Sequence, residues 1–387
     1  MSFKPIKSAV LGVGLGGLTF HIPFVLALPR YFKLYAVLER HPAGPGGKLA
    51  ARFGAQAAEG VKIYRTYTDL LADPEIELIF ISTPSETHFA LARQALQAGK
   101  HVLVDKPVTA TAAEAYELGA LAKSKGVVLY PFQNRRWDSD FFALRKLLAL
   151  PPSDPKSLGT LVEFESRFDR YRASLKNTWK DLPLPANGLT YDLGAHLIDQ
   201  VLLLFGRPAK LTAIIENIRG LGHPEVDDCF TILMHYPPRP ATSDLHPTSF
   251  TAILRGHILS VRAPQVRYVV RGTTGTFVKF GVDVQEDQLR VMQSPSEIVA
   301  STTYGLEPKT IWGTVENLAP SGDVVKSTWP SLESGSYSGL FVNLAEVIRE
   351  DKEQAVKWVE SAEVIEMIEL AYKSAKEERT LVVPPRP

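Results

Sequence analysis

The feature that most constrains this chain lies at its start. Ile6 to Leu11 is a short apolar run that enters Gly12-Val13-Gly14-Leu15-Gly16-Gly17, spacing glycines as G-x-G-x-x-G at Gly12, Gly14 and Gly17. A helix is expected next, from about Leu18 to Leu28. Glycines so placed permit a tight turn, close approach of a pyrophosphate and close packing of helix on strand. The helix start then offers unpaired N–H groups and a positive dipole end to phosphates. Strand, glycine turn and helix in that order are the context a dinucleotide fingerprint requires. Gly12, Val13, Gly14, Leu15, Gly16 and Gly17 are therefore the first cofactor-binding candidates.

A second strand, Leu34 to Leu38, ends at Glu39-Arg40-His41, with Glu39 22 residues beyond Gly17. An acid about 20 positions on accepts hydrogen bonds from the ribose of NAD, whereas a nearby cation accommodates the 2′-phosphate of NADP. Glu39 tilts the reading towards NAD, and Arg40 and His41 keep NADP open. Glu77 to Ser82 and Lys100 to Val104 are dense in apolar residues, as buried parallel strands are. They alternate with helical stretches, including Ala112 to Lys125, and Val127 to Pro131 closes the series. This is the pattern of a doubly wound α/β sheet, whose ligands bind at the carboxyl ends of the strands. Thr83, Pro84, Thr87, His88, Asp105, Lys106 and Pro107 all fall at such ends. The polar and aromatic run Phe132 to Asp138 reads as a crossing, which places one domain at 1–131 and a second at 132–387.

Composition narrows the alternatives. The chain has 387 residues and a net charge of +1, so a nucleic-acid or anionic-membrane partner is not expected. One cysteine, Cys229, allows no internal disulfide and fits a reducing compartment. No signal-peptide core and no apolar run of membrane-spanning length is read, so a cytoplasmic location is expected. No metal site is expected.

In the second half, Asp192-Leu193-Gly194-Ala195-His196 opens a mostly apolar helix expected from Thr190 to Phe205. Residues four apart share a helix face. A carboxylate beside an imidazole fixes its tautomer and raises its basicity, as a general base requires. The same pair also suits an ordinary ion pair, or an acid favoured by the helix dipole. Alternating segments follow at Ala209–Asn217, Cys229–Tyr236, Ser249–Leu254, Val266–Arg271 and Thr276–Phe280, which predicts an open, mostly antiparallel sheet in an α+β domain. The proline-rich insertion Pro237 to Pro247 reads as a surface loop, and residues 293–338 carry no clear pattern.

Together these motifs resemble the Gfo/Idh/MocA oxidoreductases. The resemblance rests on Gly12-x-Gly14-x-x-Gly17 with His21 behind it, Thr83-Pro84-x-x-x-His88, Asp105-Lys106-Pro107, Asn134-Arg135-Arg136-Trp137-Asp138 and Asp192-x-x-x-His196. Gln133 to Phe142, Glu165 to Arg172 and Phe277 to Glu286 look most similar to the scyllo-inositol dehydrogenase-like branch. Asp105 stands where the family usually has glutamate.

The resemblance implies an N-terminal Rossmann domain, NAD or NADP as cofactor, and hydride transfer between nicotinamide and a secondary hydroxyl of a sugar or inositol-like polyol. It makes His196 the proton acceptor, Asp192 its orienting partner and Lys106 a donor to the reacting oxygen or itself the base. Asn134 would serve cofactor and substrate, with Arg136, Arg167, Arg170 and Tyr171 on the substrate side. It also implies a homodimer or larger assembly through the C-terminal sheet. Two rivals are a non-catalytic sensor of dinucleotide or sugar on the same fold, and NAD-dependent glycosidase chemistry.

Overall fold

The computed structural model describes residues 4–239 and 246–386. The chain divides into two compact units. The first gathers residues 1–137 with two returning segments, 284–305 and 336–363; the second holds 138–283, 306–335 and 364–387. A single crossing at residue 131 is therefore too simple. The returning segments bring Leu289, Tyr337, Leu340 and Phe341 into the first unit's apolar core. A reading taken along the chain cannot see burial supplied by residues two hundred positions away.

The first unit is built on six strands: β1 (Ile6–Leu11), β2 (Phe32–Leu38), β3 (Lys62–Tyr64), β4 (Leu78–Ile81), β5 (His101–Val104) and β6 (Leu129–Pro131). Their order is β3-β2-β1-β4-β5-β6, and every pairing is parallel. The strand order reverses between β1 and β4, which is where open sheets of this kind bind ligands. All four residues of β4 are buried, as a strand covered on both faces must be. Phe341 lies at the centre of the core, stacked on Phe24 with ring centroids 4.7 Å apart.

The helix expected after the glycine turn is not regular. Gly17–His21 is a wide π turn in which the Ile22 N–H reaches back to Gly17 O, and only Ile22–Ala27 is α-helical. Pro23 lies in the first turn of that helix and has no N–H to donate.

The second unit carries nine strands: β7 (Leu161–Arg167), β8 (Lys210–Glu216), β9 (Cys229–Tyr236), β10 (Phe250–His257), β11 (Val266–Gly272), β12 (Gly275–Phe280), β13 (Gly313–Leu318), β14 (Val324–Trp329) and β15 (Leu381–Val382). Their order is β14-β13-β12-β11-β7-β10-β9-β8-β15, antiparallel throughout except for the β7–β10 pair. The sheet is open, and β9 and β10 bury alternate residues, so one face is covered. The helix Ala195–Phe205 is part of that cover, with Phe205 against Phe164 of β7. β10 runs past its expected end, and Gly256 within the extension sits opposite Phe230, where an added Cβ would lie 2.3 Å from the ring. β13 and β14 occupy the stretch with no clear pattern; β14 is an exposed edge strand and lacks the alternation that burial imposes. Of the proline-rich insertion, residues 240–245 lie outside the described residues.

Candidate active site

In the first unit, the reversal of strand order sets the ends of β1 and β4 side by side. The Ser82 N–H donates to Leu11 O at 2.9 Å. Gly12 has φ +93°, and a Cβ there would lie 2.1 Å from Ser82 O. A Cβ on Gly17 would lie 2.0 Å from Gly12 O, whereas one on Gly14 meets nothing within 4 Å. The first and third glycines are thus required by the protein's own backbone, and the middle one leaves space in front of the turn. The Val13 side chain is part of the core and Leu15 is 61% exposed, so their contribution to any ligand is through the main chain.

Glu39, just past β2, is buried rather than presented on the surface. Its Oε2 accepts from the Lys48 N–H at 3.0 Å, at the start of the helix Gly47–Phe53. Its Oε1 is buried and accepts no hydrogen bond among the described residues. Arg40 and His41 are exposed.

Side chains tie the ends of β4 and β5 to the π turn that follows the glycines. Asp105 Oδ1 lies 3.0 Å from His21 Nε2, and its Oδ2 accepts from the Ser82 hydroxyl at 2.6 Å. Burial alone would raise this carboxyl, but the His21 imidazole and the Ser82 hydroxyl hold it below its ordinary value. His21 thus joins the glycine turn to the strand end that carries Lys106. Lys106 is half-buried, and the Lys106–Pro107 peptide is cis.

His88 is buried, with Nδ1 2.8 Å from Pro107 O and Nε2 3.0 Å from Thr83 O. Expected as a cofactor contact, it instead braces the β4 end against the Lys106-Pro107 turn. The Thr87 hydroxyl donates to Pro84 O at 2.7 Å, so the Thr83 hydroxyl supplies the proton of the 2.6 Å Thr83–Thr87 bond. Asn134 is buried in the short helix Asn134–Trp137. Arg136, expected on the substrate side, donates to Glu360 Oε2 and Ala355 O, both at 2.8 Å. Its guanidinium therefore helps fasten a returning segment of the first unit.

In the second unit, Asp192 does not stand on a regular helix. Thr190–Gly194 is a second π turn, in which the Ala195 N–H reaches back to Thr190 O, and the α-helix proper begins at Ala195. Asp192 and His196 thus flank a junction, and the spacing of an unbroken α-helix does not describe them. Asp227 fixes the start of this turn. Its Oδ2 accepts from the Thr190 N–H and hydroxyl, both at 2.8 Å, and its Oδ1 from the Tyr372 hydroxyl. Gly188 allows Asp227 this close, because a Cβ there would lie 2.0 Å from Asp227 Oδ1. Asp192 Oδ1 accepts from Lys180 Nζ at 3.1 Å, and His196 is buried beside Phe168. Arg167 is taken up by Glu165, with Nε 2.8 Å from Oε1. Arg170 is half-buried, and Tyr171 is 59% exposed.

His21 appeared in the sequence only as part of a motif. Ser82, Asp227, Tyr372 and Lys180 gave no signal, because each acts through a partner distant in the chain or in a loop.

Comparison with known proteins settles the family. A model described as "Oxidoreductase family, NAD-binding Rossmann fold" matches residues 6–133, and its companion, the "C-terminal alpha/beta domain" of the same family, matches 154–383. The chain belongs to the Gfo/Idh/MocA oxidoreductases. An oxidoreductase of Schizosaccharomyces pombe is 40% identical over 96% of this chain and 97% of its own. The scyllo-inositol 2-dehydrogenase (NADP(+)) of Bacillus subtilis is 32% identical, covering 98% of this chain and 96% of its own. A solved oxidoreductase structure from Bacillus subtilis, yvaA, superposes with a TM-score of 0.85 at 32% identity, over 99% of this chain and 100% of that one. This family member is an enzyme, a dehydrogenase of the NAD(P) type.

The residues present fit such a cofactor. The open space at Gly14 is where this fingerprint lets a pyrophosphate approach the backbone, and the buried, unpartnered Glu39 Oε1 is an acceptor of the kind a ribose hydroxyl satisfies. Among the described residues no helix is long and apolar enough to cross a membrane.

Proposed function

We propose that this oxidoreductase removes hydride from the carbon bearing a secondary hydroxyl of a sugar or cyclic polyol, and runs the reaction in reverse on the ketone. The cofactor, NAD or NADP, supplies the hydride acceptor at nicotinamide C4. His196 takes the hydroxyl proton as the C–H bond yields its electron pair, leaving a ketone. Asp192 orients His196 and shares its second oxygen with a neighbouring hydroxyl. Lys106 donates to the reacting oxygen and offsets the alkoxide charge that develops there. The main-chain N–H groups of Gly12 to Gly17 and the side chain of Glu39 hold the cofactor, with Thr83, Pro84, Thr87 and Asn134 beside it. His88 and Asp105 position Lys106.

The observation that carries this reading is the care with which two chemical groups are set. Lys106 follows a carboxylate fixed by His21 and Ser82, and Asp192 stands on a turn fixed by a buried carboxylate. A sensor needs neither. The names of relatives agree: one is a scyllo-inositol dehydrogenase and another, from Sus scrofa, a trans-1,2-dihydrobenzene-1,2-diol dehydrogenase. We further propose that two copies pair through the open face of the nine-stranded sheet, in the cytoplasm.

The test is to mix the protein with NAD+ or NADP+ and a panel of inositols and aldoses while following the absorbance of reduced nicotinamide. Turnover with a polyol that drops roughly 10²–10⁴-fold in Lys106→Ala and His196→Ala is the expected result. Wild-type turnover in both variants overturns the assignment of roles.

A further inference from the structure

Beyond β7 the chain stays extended. The N–H groups of Phe168, Arg170 and Arg172 donate to the carbonyls of Arg255, His257 and Ile258 at 2.8, 2.9 and 2.8 Å. Alternate residues of an extended segment share a side, so Arg170 and Arg172 project together. The chain then turns through Ser174, whose carbonyl accepts from Arg219 Nη1 at 2.8 Å, and runs on to Lys176 and Lys180. Lys180 pairs with Asp192, and Arg172 and Lys176 lie near enough to feel its charge.

The carboxylates of this region are already committed. Asp228 takes Arg219 at 2.6 Å, and Asp192 takes Lys180 at 3.1 Å. Asp181 accepts from the Thr178 N–H at 3.1 Å and caps its own short helix. Arg170, Arg172 and Lys176 form no ion pair among the described residues, and none of them is freely exposed. Arg172 Nε is buried without an acceptor. Burial, with repulsion from Lys180, Arg172 and Arg170, pushes the Lys176 ammonium down to about 8 against the pull of Asp192. Unpaired, partly desolvated cations are costly unless an anion completes them.

We propose that the substrate carries an acidic group, a carboxylate or a phosphate ester, which Arg170, Arg172 and Lys176 receive beside the hydroxyl being oxidised. This rests on the dehydrogenase reading above and narrows it from polyols in general to anionic polyols. Guanidinium groups suit either oxyanion, because their fork of N–H donors matches two oxygens at once.

The experiment pairs each anion with an uncharged counterpart: D-glucuronate and D-glucose 6-phosphate against D-glucose, and myo-inositol 1-phosphate against myo-inositol. Two readouts are taken, kcat/KM with NAD+ or NADP+, and the shift in Tm on binding without cofactor. The expected result is that an anion exceeds its counterpart at least about tenfold in kcat/KM, or alone raises Tm. In Lys176→Gln, and separately in Arg170→Gln, that preference falls roughly tenfold, as loss of a charge-assisted contact requires. Preference for glucuronate over the phosphates, or the reverse, identifies the acidic group. Equal response to charged and uncharged partners, or a preference untouched in both variants, overturns the proposal while leaving the dehydrogenase reading intact. Anions that raise Tm through Lys176 with no turnover of any polyol sink the dehydrogenase reading and leave the anion site standing.

Discussion

The Tyr372 hydroxyl lies 2.5 Å from Asp227 Oδ1, joining a helix near the C-terminus to the loop before β9. Asp227 in turn holds Thr190, the first residue of the turn that presents Asp192. A buried carboxylate that accepts three hydrogen bonds from this turn and its support is a positioning group. Tyr372→Phe should lower stability by about 1–3 kcal/mol, the cost of leaving a buried charged acceptor short of a donor. It should also lower kcat by more than it raises KM. Urea denaturation and steady-state kinetics measure both; unchanged values in each would remove Asp227 from this role.

Asp105 links acid stability to the first unit. Its folded value lies below its ordinary one, so its contribution is complete above an unfolded pKa of about 3.9 and is lost as pH falls through the folded value. Asp105→Asn should cost about 1–3 kcal/mol at neutral pH. The two proteins' stabilities should converge as pH falls below the ordinary carboxyl value and through the folded one. A gap that is constant from pH 7 to pH 2 would contradict this.

On the proposed reading, Glu39 and Arg40 divide the choice of cofactor. Glu39 spends one oxygen on the Lys48 N–H, and Arg40 is the exposed cation beside it. Arg40→Ala should weaken NADP+ binding roughly tenfold with little effect on NAD+, since only NADP+ offers a phosphate to a guanidinium there. Fluorescence titration of each dinucleotide decides it, and equal losses would place the 2′-phosphate elsewhere.

Lys176 gives the anion site a pH signature. Burial, with repulsion from Lys180, Arg172 and Arg170 and against the pull of Asp192, pushes its ammonium down to about 8. Preference for an anionic substrate should therefore decline as pH rises through about 8, and Lys176→Gln should flatten that decline. A pH profile identical in the two proteins is the contrary result.

Much of this was legible in the residues. Ala112–Lys125 and Cys229–Tyr236 were read to the residue. The first has Thr111 and Glu114 closing a capping box, and the second alternates in burial along its whole length, so in both a local rule decides the ends. The glycine turn was equally plain. What stayed hidden depends on distance or exception. Asp227 and Tyr372 are 145 positions apart, and no spacing rule joins them. The wide turn after the glycines, followed by Pro23 with no N–H to donate, breaks a helix that the residue pattern alone runs straight through. His88 and Arg136 carry the right chemistry for a ligand, and only their partners show that the protein uses them on itself.

The returning segments bear on how the molecule is made. A ribosome that has released the first 137 residues has emitted every strand of the parallel sheet, yet Phe341, which stacks on Phe24 and touches the rings of Phe32, Phe80 and Phe132, is still to be translated. The nascent sheet is therefore left with an apolar surface while residues 138–335, most of the second unit among them, are synthesised. The order of synthesis and the order of burial run against each other, and it is the late segment that seals the early one.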